Sequence, residues 1–115
     1  MTSEEPVIGV VGPCAAGKTT LVSDLRTAGY VVRHIAQEHS YVQDMWKQIG
    51  NPDLLIYLDV SFEESVRRTG TSWTSDIFDK QVIRLVHARD HADLYINTDD
   101  LTPQQVLNLV LDHII

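Results

Sequence analysis

The stretch from Gly12 to Thr19 carries the clearest chemical signature in this chain. It fits the pattern G-x-x-x-x-G-K-[ST], a loop in which backbone N–H groups surround a phosphate at the start of a helix. In such a P-loop the ammonium of Lys18 binds the β- and γ-phosphates, and the hydroxyl of Thr19 binds Mg²⁺. The residues expected to contact a nucleoside triphosphate are Gly12, Pro13, Cys14, Ala15, Ala16, Gly17, Lys18, Thr19 and Thr20.

The residues on either side of this loop have the pattern that a phosphate-binding loop requires. Residues 7–11 form a short apolar run, which predicts a buried parallel strand. Residues 19–28 predict a helix that Gly29 closes. Because strand, glycine-containing loop and helix follow in this order, a true nucleotide site is a better interpretation than a turn that only resembles one.

Two carboxylates follow predicted strands and are candidates for supporting the metal ion. Residues 30–36 predict a second strand, and Glu38 and His39 come directly after it. Residues 53–60 predict the strongest strand, with Asp59 near its end. Ligands bind at the carboxyl ends of parallel strands, so Glu38 and Asp59 are both expected beside the P-loop, and the sequence leaves open which supports Mg²⁺. Glu38 or Asp59 is also the candidate that orients an acceptor hydroxyl, and His39 is a weaker one.

Strands and helices alternate along the rest of the chain. A capping box at 61–64 predicts a helix over 62–69, and another at 102–105 opens a C-terminal helix. Between them, residues 77–91 predict a helix and residues 93–97 a fourth strand. This alternation predicts an α/β sandwich around a parallel sheet.

In outline, nearly the whole chain resembles the P-loop kinases of the nucleoside-monophosphate-kinase and shikimate-kinase branch. The resemblance rests on the P-loop with its helix, on the arginines of the two later helices, and on the segments NPDLLIYLDVSFEESVRR and HADLYINTDDLTPQQVLNLVLDHI. It implies that Arg67 or Arg68, and Arg84 or Arg89, are lid arginines or neutralise the transferred phosphoryl group. Spacing does not choose within either pair, although Arg84 and Arg89 lie roughly 140° apart around a helix, so one of them is expected to face the site.

The chain also departs from that branch, and the departures remove information about the acceptor. Residues 30–52 leave room for only one strand and one short helix, at 41–49, where the branch carries a substrate-binding insert. The lid, residues 70–76, is minimal. We therefore expect a P-loop NTPase fold, a three-layer α/β/α sandwich with about four parallel strands in the order 2-1-3-4, and an acceptor that the resemblance does not identify.

Length and composition narrow the class of protein. The 115 residues suit one nucleotide-binding domain spanning 1–115, with residues 1–6 as a loose polar start. The chain has 9 Lys and Arg against 16 Asp and Glu, a net charge of −7, which argues against nucleic acid as a general partner. A single cysteine excludes a disulfide framework within the chain. No apolar run is long enough for a membrane span, so we expect a cytoplasmic protein without a membrane partner.

Two pairs of residues carry weaker signals. His87 and His91 lie one helical turn apart, a spacing that suits a metal ion, but without a third ligand a solvated helix face is the better interpretation. Trp46 and Trp73 each have a flat ring that can stack on a base, yet either is more often a core or hinge anchor.

Two functions are consistent with these residues. In the first, a kinase transfers the γ-phosphoryl group of Mg-ATP to a small hydroxyl or phosphate acceptor, with Lys18, Glu38 and the arginines as its catalytic residues. In the second, the chain is a nucleotide-binding module or slow ATPase that acts through a partner or as a homo-oligomer, in which a neighbouring copy closes an otherwise wet site. ATP is favoured over GTP because the sequence has no Asn-Lys-x-Asp motif.

Overall fold

The computed structural model describes residues 6–70 and 73–114, and strands and helices alternate over them. In chain order the elements are β1 (Val7–Val11), α1 (Lys18–Thr27), β2 (Val31–His34), β3 (Leu54–Asp59), α2 (Phe62–Thr69), α3 (Ser75–His91), β4 (Leu94–Asn97) and α4 (Pro103–Ile114). A 3₁₀ turn at Gln37–His39 and a π-helical turn at Trp46–Gly50 lie between β2 and β3. None of these helices is both long enough and apolar enough to cross a membrane.

The four strands form one parallel sheet in the order β2-β1-β3-β4, which confirms the predicted order 2-1-3-4. In the register of the sheet, Ile8 of β1 lies opposite Val32 of β2 and Leu54 of β3. The short strands β2 and β4 form the two edges. Because all strands run the same way, their carboxyl ends meet at one edge, where the P-loop leaves β1.

Helices cover both faces of the sheet, so the molecule has the predicted α/β architecture. Alternate residues of a strand point to opposite faces. On one face, strand residues such as Ile8 and Ile56 pack with the buried side chains of α1 and α4. On the other face, Val11 and Tyr57 pack with Leu85 of α3 and with the buried ring of Trp46 in the π-helical turn. These two apolar clusters fix the positions of α1 and α3 on either side of the P-loop.

Both predicted capping boxes start helices, but only the second has the reciprocal pattern. The Thr102 hydroxyl accepts from the Gln105 N–H at 3.2 Å, and the Gln105 side chain accepts from the Thr102 N–H at 2.8 Å. Ser61 Oγ accepts from the Glu64 N–H at 3.2 Å, whereas the Ser61 N–H donates to Asp99 Oδ1 at 2.8 Å. The Glu64 carboxylate is thereby left to bind arginine side chains in the last turn of α2.

The helix predicted over 41–49 forms only in its second half, where the structure has the π-helical turn Trp46–Gly50; residues 41–44 are bends and turns. The buried side chain of Gln37 provides the physical reason. Its Nε2 donates to the Val42 carbonyl at 2.8 Å, and its Oε1 accepts from the Trp46 N–H at 2.9 Å. These backbone groups are bonded to a side chain instead of to each other along a helix. The lid expected at 70–76 includes residues 71 and 72, which lie outside the described residues.

Glycine is required at position 12 because β1 and β3 approach each other closely there. A Cβ atom at Gly12 would lie 2.0 Å from the backbone oxygen of Leu58, and Gly12 has φ +153. Gly29, which follows α1, has φ +99, but a Cβ atom there would meet no described atom within 4 Å. A side chain at Gly29 would therefore cause backbone strain alone, whereas a side chain at Gly12 would cause strain and a steric clash.

We expect Gly29→Ala to lower the free energy of unfolding by about 1 kcal/mol through backbone strain alone. Gly12→Ala should lower it by about 3 kcal/mol or more, since the clash adds to the strain. Urea denaturation of the two variants and the parent chain measures this difference. Equal losses at the two glycines would contradict the close approach of β1 and β3, because the Leu58 carbonyl lies against Gly12 and not against Gly29.

Candidate nucleotide site

The loop between β1 and α1 adopts the backbone conformation that a phosphate cradle needs. Gly12 and Gly17 have positive φ angles of 153° and 101°, and α1 begins immediately after them at Lys18. Ala15 also has a positive φ, 69°, which is uncommon for a residue with a side chain and costs about 1–2 kcal/mol. The loop therefore holds a strained turn directly before a helix N-terminus, the arrangement that favours an anion.

Lys18 is buried at the centre of this loop, with 6% of its surface exposed. Its ammonium donates to the carbonyl of Gly12 at 2.6 Å, to the carbonyl of Pro13 at 3.1 Å, and to Glu38 Oε2 at 2.8 Å. A lysine ammonium has three hydrogens, so these acceptors satisfy all of them. A phosphate that binds Lys18 must therefore replace at least one of the three.

Glu38 lies in the 3₁₀ turn after β2 and is 4% exposed. Its Oε2 is bonded to Lys18, whereas its Oε1 is a buried oxygen that has no hydrogen-bond partner among the described residues. An ionised oxygen without a partner is costly to bury, and a bound cation would remove that cost. Glu38 lines a pocket of about 350 Å³ together with Lys18, Thr19 and His34. The predicted metal ligands Thr19 and Glu38 thus share one pocket.

Asp59, the other carboxylate predicted to support a metal, is engaged elsewhere. Its Oδ1 accepts from the Val60 N–H at 2.9 Å, and its Oδ2 accepts from the hydroxyl of Tyr95 on β4. Burial and the neighbouring Asp59 raise the pKa of Tyr95, so this hydroxyl keeps its proton and remains a donor. The geometry favours Glu38 over Asp59 as the carboxylate that faces the P-loop pocket.

The two arginines at the end of α2 have different surroundings. Arg68 Nη1 donates to the carbonyl of Ala15 at 3.0 Å and to Thr98 Oγ1 at 2.9 Å. Its Nη2 donates to the Thr98 carbonyl, and its Nε donates to Glu64 at 2.9 Å. Within the described part of the chain Arg67 is bonded to Glu64 alone, and its side chain is 73% exposed. Hydrogen bonds from Arg67 and then Arg68 lower the pKa of Glu64 to about 2, so this carboxylate stays ionised between the two guanidinium groups. Arg68 is a structural link, and Arg67 is the more accessible cation.

A second pocket of about 350 Å³ lies beside the opposite side of the loop, between α2 and the start of α4. Its apolar part is formed by Leu21, Leu101 and Val106, and the two arginines of α2 form a charged part. Thr20, which the sequence placed among the nucleotide contacts, also lines this pocket. The P-loop is therefore flanked by one polar pocket and one partly apolar pocket.

The two arginines of α3 contact different parts of the molecule. Arg84 Nη1 donates to the backbone carbonyl of Glu38 at 3.3 Å, and its guanidinium lies 4.5 Å from the ring centre of Tyr41. Arg89 lies 5.0 Å from the ring centre of Tyr95, on the side of β4. Arg84 is therefore the member of this pair that is positioned next to the Glu38 turn.

Sequence reasoning missed Gln81, which holds the P-loop from α3. Its Oε1 accepts from the Cys14 N–H at 3.0 Å, its Nε2 donates to Cys14 Sγ at 3.2 Å, and only 3% of its surface is exposed. The signal was present in the spacing, because Gln81 lies on the buried stripe of α3 with Phe78, Leu85 and Ala88. A polar side chain at a core position of a helix needs a hydrogen-bond partner, and here that partner is in the P-loop.

Both tryptophans act as anchors in the packed structure. Trp46 is buried, and its indole Nε1 donates to His87 Nδ1 at 3.0 Å. Trp73 Nε1 donates to Ser65 Oγ at 3.3 Å, and its ring packs edge-on against Phe78. Each indole N–H already has a partner within the fold. A packing anchor is therefore a better interpretation of both tryptophans than base stacking.

His87 and His91, the pair with metal-ligand spacing, stack on each other with ring centres 4.2 Å apart. His87 Nδ1 accepts from Trp46, and His91 Nδ1 lies 2.8 Å from the His87 carbonyl oxygen. No third ligand joins the two rings within the described residues. The sequence predicted a solvated helix face; His91 is exposed as expected, whereas His87 is half-buried against Trp46.

Comparison with known proteins shows a partial similarity. No family model matches the chain. A "Probable thymidylate kinase" of Methanococcus aeolicus is 35% identical over an alignment that covers 48% of this chain and 35% of that protein. The chain thus spans about a third of the length of this curated relative. The similarity supports a P-loop kinase-like protein and does not single out the branch that the resemblance implied.

Arg67 and Arg68 provide a matched pair for testing the structural link. Arg68→Ala removes the donors to Ala15 and Thr98; the Ala15 carbonyl loses its described partner, whereas the Thr98 carbonyl keeps the Leu101 N–H, so we expect the free energy of unfolding to fall by about 2 kcal/mol. Arg67→Ala breaks one exposed ion pair and should change it by less than about 0.5 kcal/mol. Urea denaturation of both variants measures the contrast, and similar small effects would contradict a linking role for Arg68.

His34 provides a pH-dependent test. Partial desolvation and the charge of Lys18 lower the pKa of His34 from its ordinary value of 6.5, against the opposing effect of Glu38. As pH falls below about 6.5, the unfolded chain binds this proton before the folded protein does, so stability decreases. We expect a shallower decrease in His34→Gln, measured by urea titration at neutral and mildly acid pH. His113→Gln, at an exposed histidine of α4, should retain the parent slope; identical slopes in all three proteins would show that His34 does not titrate in this way.

Proposed function

We propose that this chain binds the triphosphate of Mg-ATP in the loop 12–19 and transfers its γ-phosphoryl group to a small hydroxyl or phosphate acceptor. The observation that carries this proposal is the fully bonded Lys18 ammonium between two P-loop carbonyls and the buried Glu38. A lysine held there is already placed among the groups that cradle phosphate. The parallel sheet in the order 2-1-3-4 and the partial similarity to a probable thymidylate kinase support the same function.

Binding of the triphosphate would exchange partners at Lys18. The ammonium can leave Glu38 for β- and γ-phosphate oxygens while the loop carbonyls stay within reach. In the transfer step the bond between the γ-phosphorus and its bridging oxygen breaks, ADP leaves with that bonding pair, and a bond from an acceptor oxygen to that phosphorus forms. A hydroxyl acceptor gives up its proton to solvent. Glu38, released from Lys18, is then the carboxylate placed to orient an acceptor hydroxyl.

The residues around this pocket fit a magnesium ion. Mg²⁺ prefers oxygen donors, and the Thr19 hydroxyl lines the same pocket as Glu38, whose Oε1 has no partner in the described part of the chain. These two side chains would hold the ion, directly or through water. When bound, Mg²⁺ neutralises charge on the phosphate oxygens.

The second pocket fits the nucleoside part of the donor. Its apolar side chains on α1, α4 and the loop before α4 offer a surface for a flat base, and the exposed guanidinium of Arg67 lies at the same pocket. We assign Arg67 to a contact with substrate charge, because Arg68 is committed to the backbone of the P-loop and to Thr98. Of the second pair we assign Arg84, because it lies beside the Glu38 turn. Arg89 lies beside Tyr95 and is assigned no contact with substrate.

The name of the similar protein suggests which class of acceptor to test first. Thymidylate, in the name of that relative, is a nucleoside monophosphate, so nucleoside monophosphates are the first acceptors to test.

The competing function, a nucleotide-binding module or slow ATPase that works with a partner or another copy, is favoured by one observation. Between β2 and β3, a segment that is described throughout, the structure has only two short helical turns, at Gln37–His39 and Trp46–Gly50.

Formation of ADP from Mg-ATP tests the proposal, with and without a pool of nucleosides, nucleoside monophosphates, sugars and small hydroxy acids. We expect the pool to raise ADP formation, and Lys18→Met to lower the acceptor-dependent rate by about 100-fold or more. Lys47→Met is the matched control, because Lys47 is an exposed lysine of the π-helical turn. Its rate should equal that of the parent chain.

Calorimetric titration with ATP separates the two functions. Binding that Lys18→Met weakens, together with no acceptor-dependent turnover in any pool, would overturn the kinase and favour the module. No ATP binding by the folded parent chain would contradict both functions.

A further inference from the structure

Three side chains with metal-binding atoms meet where the P-loop passes the 3₁₀ turn Gln37–His39. Cys14 Sγ lies 3.9 Å from His39 Nε2, and His39 Nε2 lies 3.8 Å from Glu38 Oε2. One ligand atom from each of Cys14, Glu38 and His39 falls within 4.8 Å of the other two. We propose that these three residues form a binding site for a zinc-class divalent cation.

The distances are close to those of a tetrahedral zinc site. Zinc–sulfur bonds of about 2.3 Å and zinc–nitrogen bonds of about 2.0–2.1 Å place the two ligand atoms about 3.5 Å apart. The observed separation of 3.9 Å between Cys14 and His39 needs a change of only about 0.4 Å. The His39 side chain is 60% exposed and can make this change without disturbing the core.

Glu38 gives an independent reason to place a cation here. Its side chain is 5% exposed, yet Oε1 has no partner among the described residues. Lys18 compensates the carboxylate from one side only, through Oε2. A cation bound through both carboxylate oxygens would satisfy Oε1 and also contact Oε2, the oxygen that lies 3.8 Å from His39 Nε2.

The surroundings of Cys14 suit a thiolate ligand. Gln81 Nε2 donates to the sulfur at 3.2 Å, while Gln81 Oε1 holds the Cys14 backbone N–H at 3.0 Å. An amide that donates to a ligand atom in this way orients the ligand and stabilises its negative charge. When the ion binds, the thiol releases its proton to solvent and a metal–sulfur bond forms.

The ligand set selects the class of ion. A thiolate and an imidazole favour zinc and similar transition metals over magnesium, which prefers oxygen donors. Three protein ligands leave the fourth tetrahedral position to water. This site shares Glu38 with the proposed magnesium site but takes its other two ligands, Cys14 and His39, from different residues, and it does not depend on phosphoryl transfer.

Cobalt(II) is the probe, because a cobalt–thiolate bond gives a charge-transfer band in the near ultraviolet and tetrahedral cobalt absorbs strongly in the visible. The full chain is reduced, freed of metal with a chelator, and titrated with Co²⁺. We expect both absorptions at one ion per chain. The thiolate band has only one source in a chain, since Cys14 is the single cysteine.

Variants locate the ligands. Cys14→Ser should abolish the charge-transfer band, and His39→Asn should weaken Zn²⁺ affinity at least about ten-fold in competition with a chromogenic chelator. Glu38→Gln should weaken it to a similar extent. His91→Gln is the matched control, because it removes one member of the stacked histidine pair on α3, and it should leave affinity and spectrum unchanged.

Three results would overturn the proposal. The first is no charge-transfer band in the folded parent chain. The second is Zn²⁺ affinity that is unchanged in both Cys14→Ser and His39→Asn, or lost in His91→Gln. The third is one ion per two chains, which would assign the thiolates to a contact between copies. Since the readout is metal binding, a failure here leaves the ATP experiments unaffected.

Discussion

The buried ion pair between Lys18 and Glu38 is the constraint around which the site is built. Each charge costs several kcal/mol to bury, and the Coulombic attraction offsets that cost only when the geometry is good. Here the ammonium meets Glu38 at 2.8 Å and two loop carbonyls besides. The pair joins the start of α1 to the turn after β2, and both side chains line the polar pocket. A ligand for this pocket must compensate Glu38 when it takes Lys18 away.

The features that were predicted correctly are those that local signals encode. The parallel sheet follows from the alternation of apolar runs and helices, and its order from placing the second strand beside the P-loop strand. The bounds of α2, Phe62–Thr69, follow from a cap at Ser61 and the glycine at position 70. The turn between β1 and α1, with positive φ at Gly12 and Gly17, likewise depends on one short stretch. In each case the determining residues are neighbours in the chain.

The features that were missed are decided by residues far apart in the chain. Gln81 reaches Cys14 across 67 positions, and Arg68 reaches Ala15 across 53. The choice between Glu38 and Asp59 rests on a partner of Asp59 that lies on another strand. Spacing along a sequence contains no information about such contacts until the fold brings them together.

The position of β2 at the edge of the sheet limits how copies of this chain can associate. An open edge offers unpaired backbone groups to a strand of another molecule, and short or charged edge strands oppose such pairing. β2 has only four residues, and Arg33 and His34 on it are exposed. Continuation of the sheet from one molecule into the next is therefore disfavoured on this side. Copies of the chain that associate without forming fibres would therefore contact each other through their helices. Each sheet would then keep its own four strands.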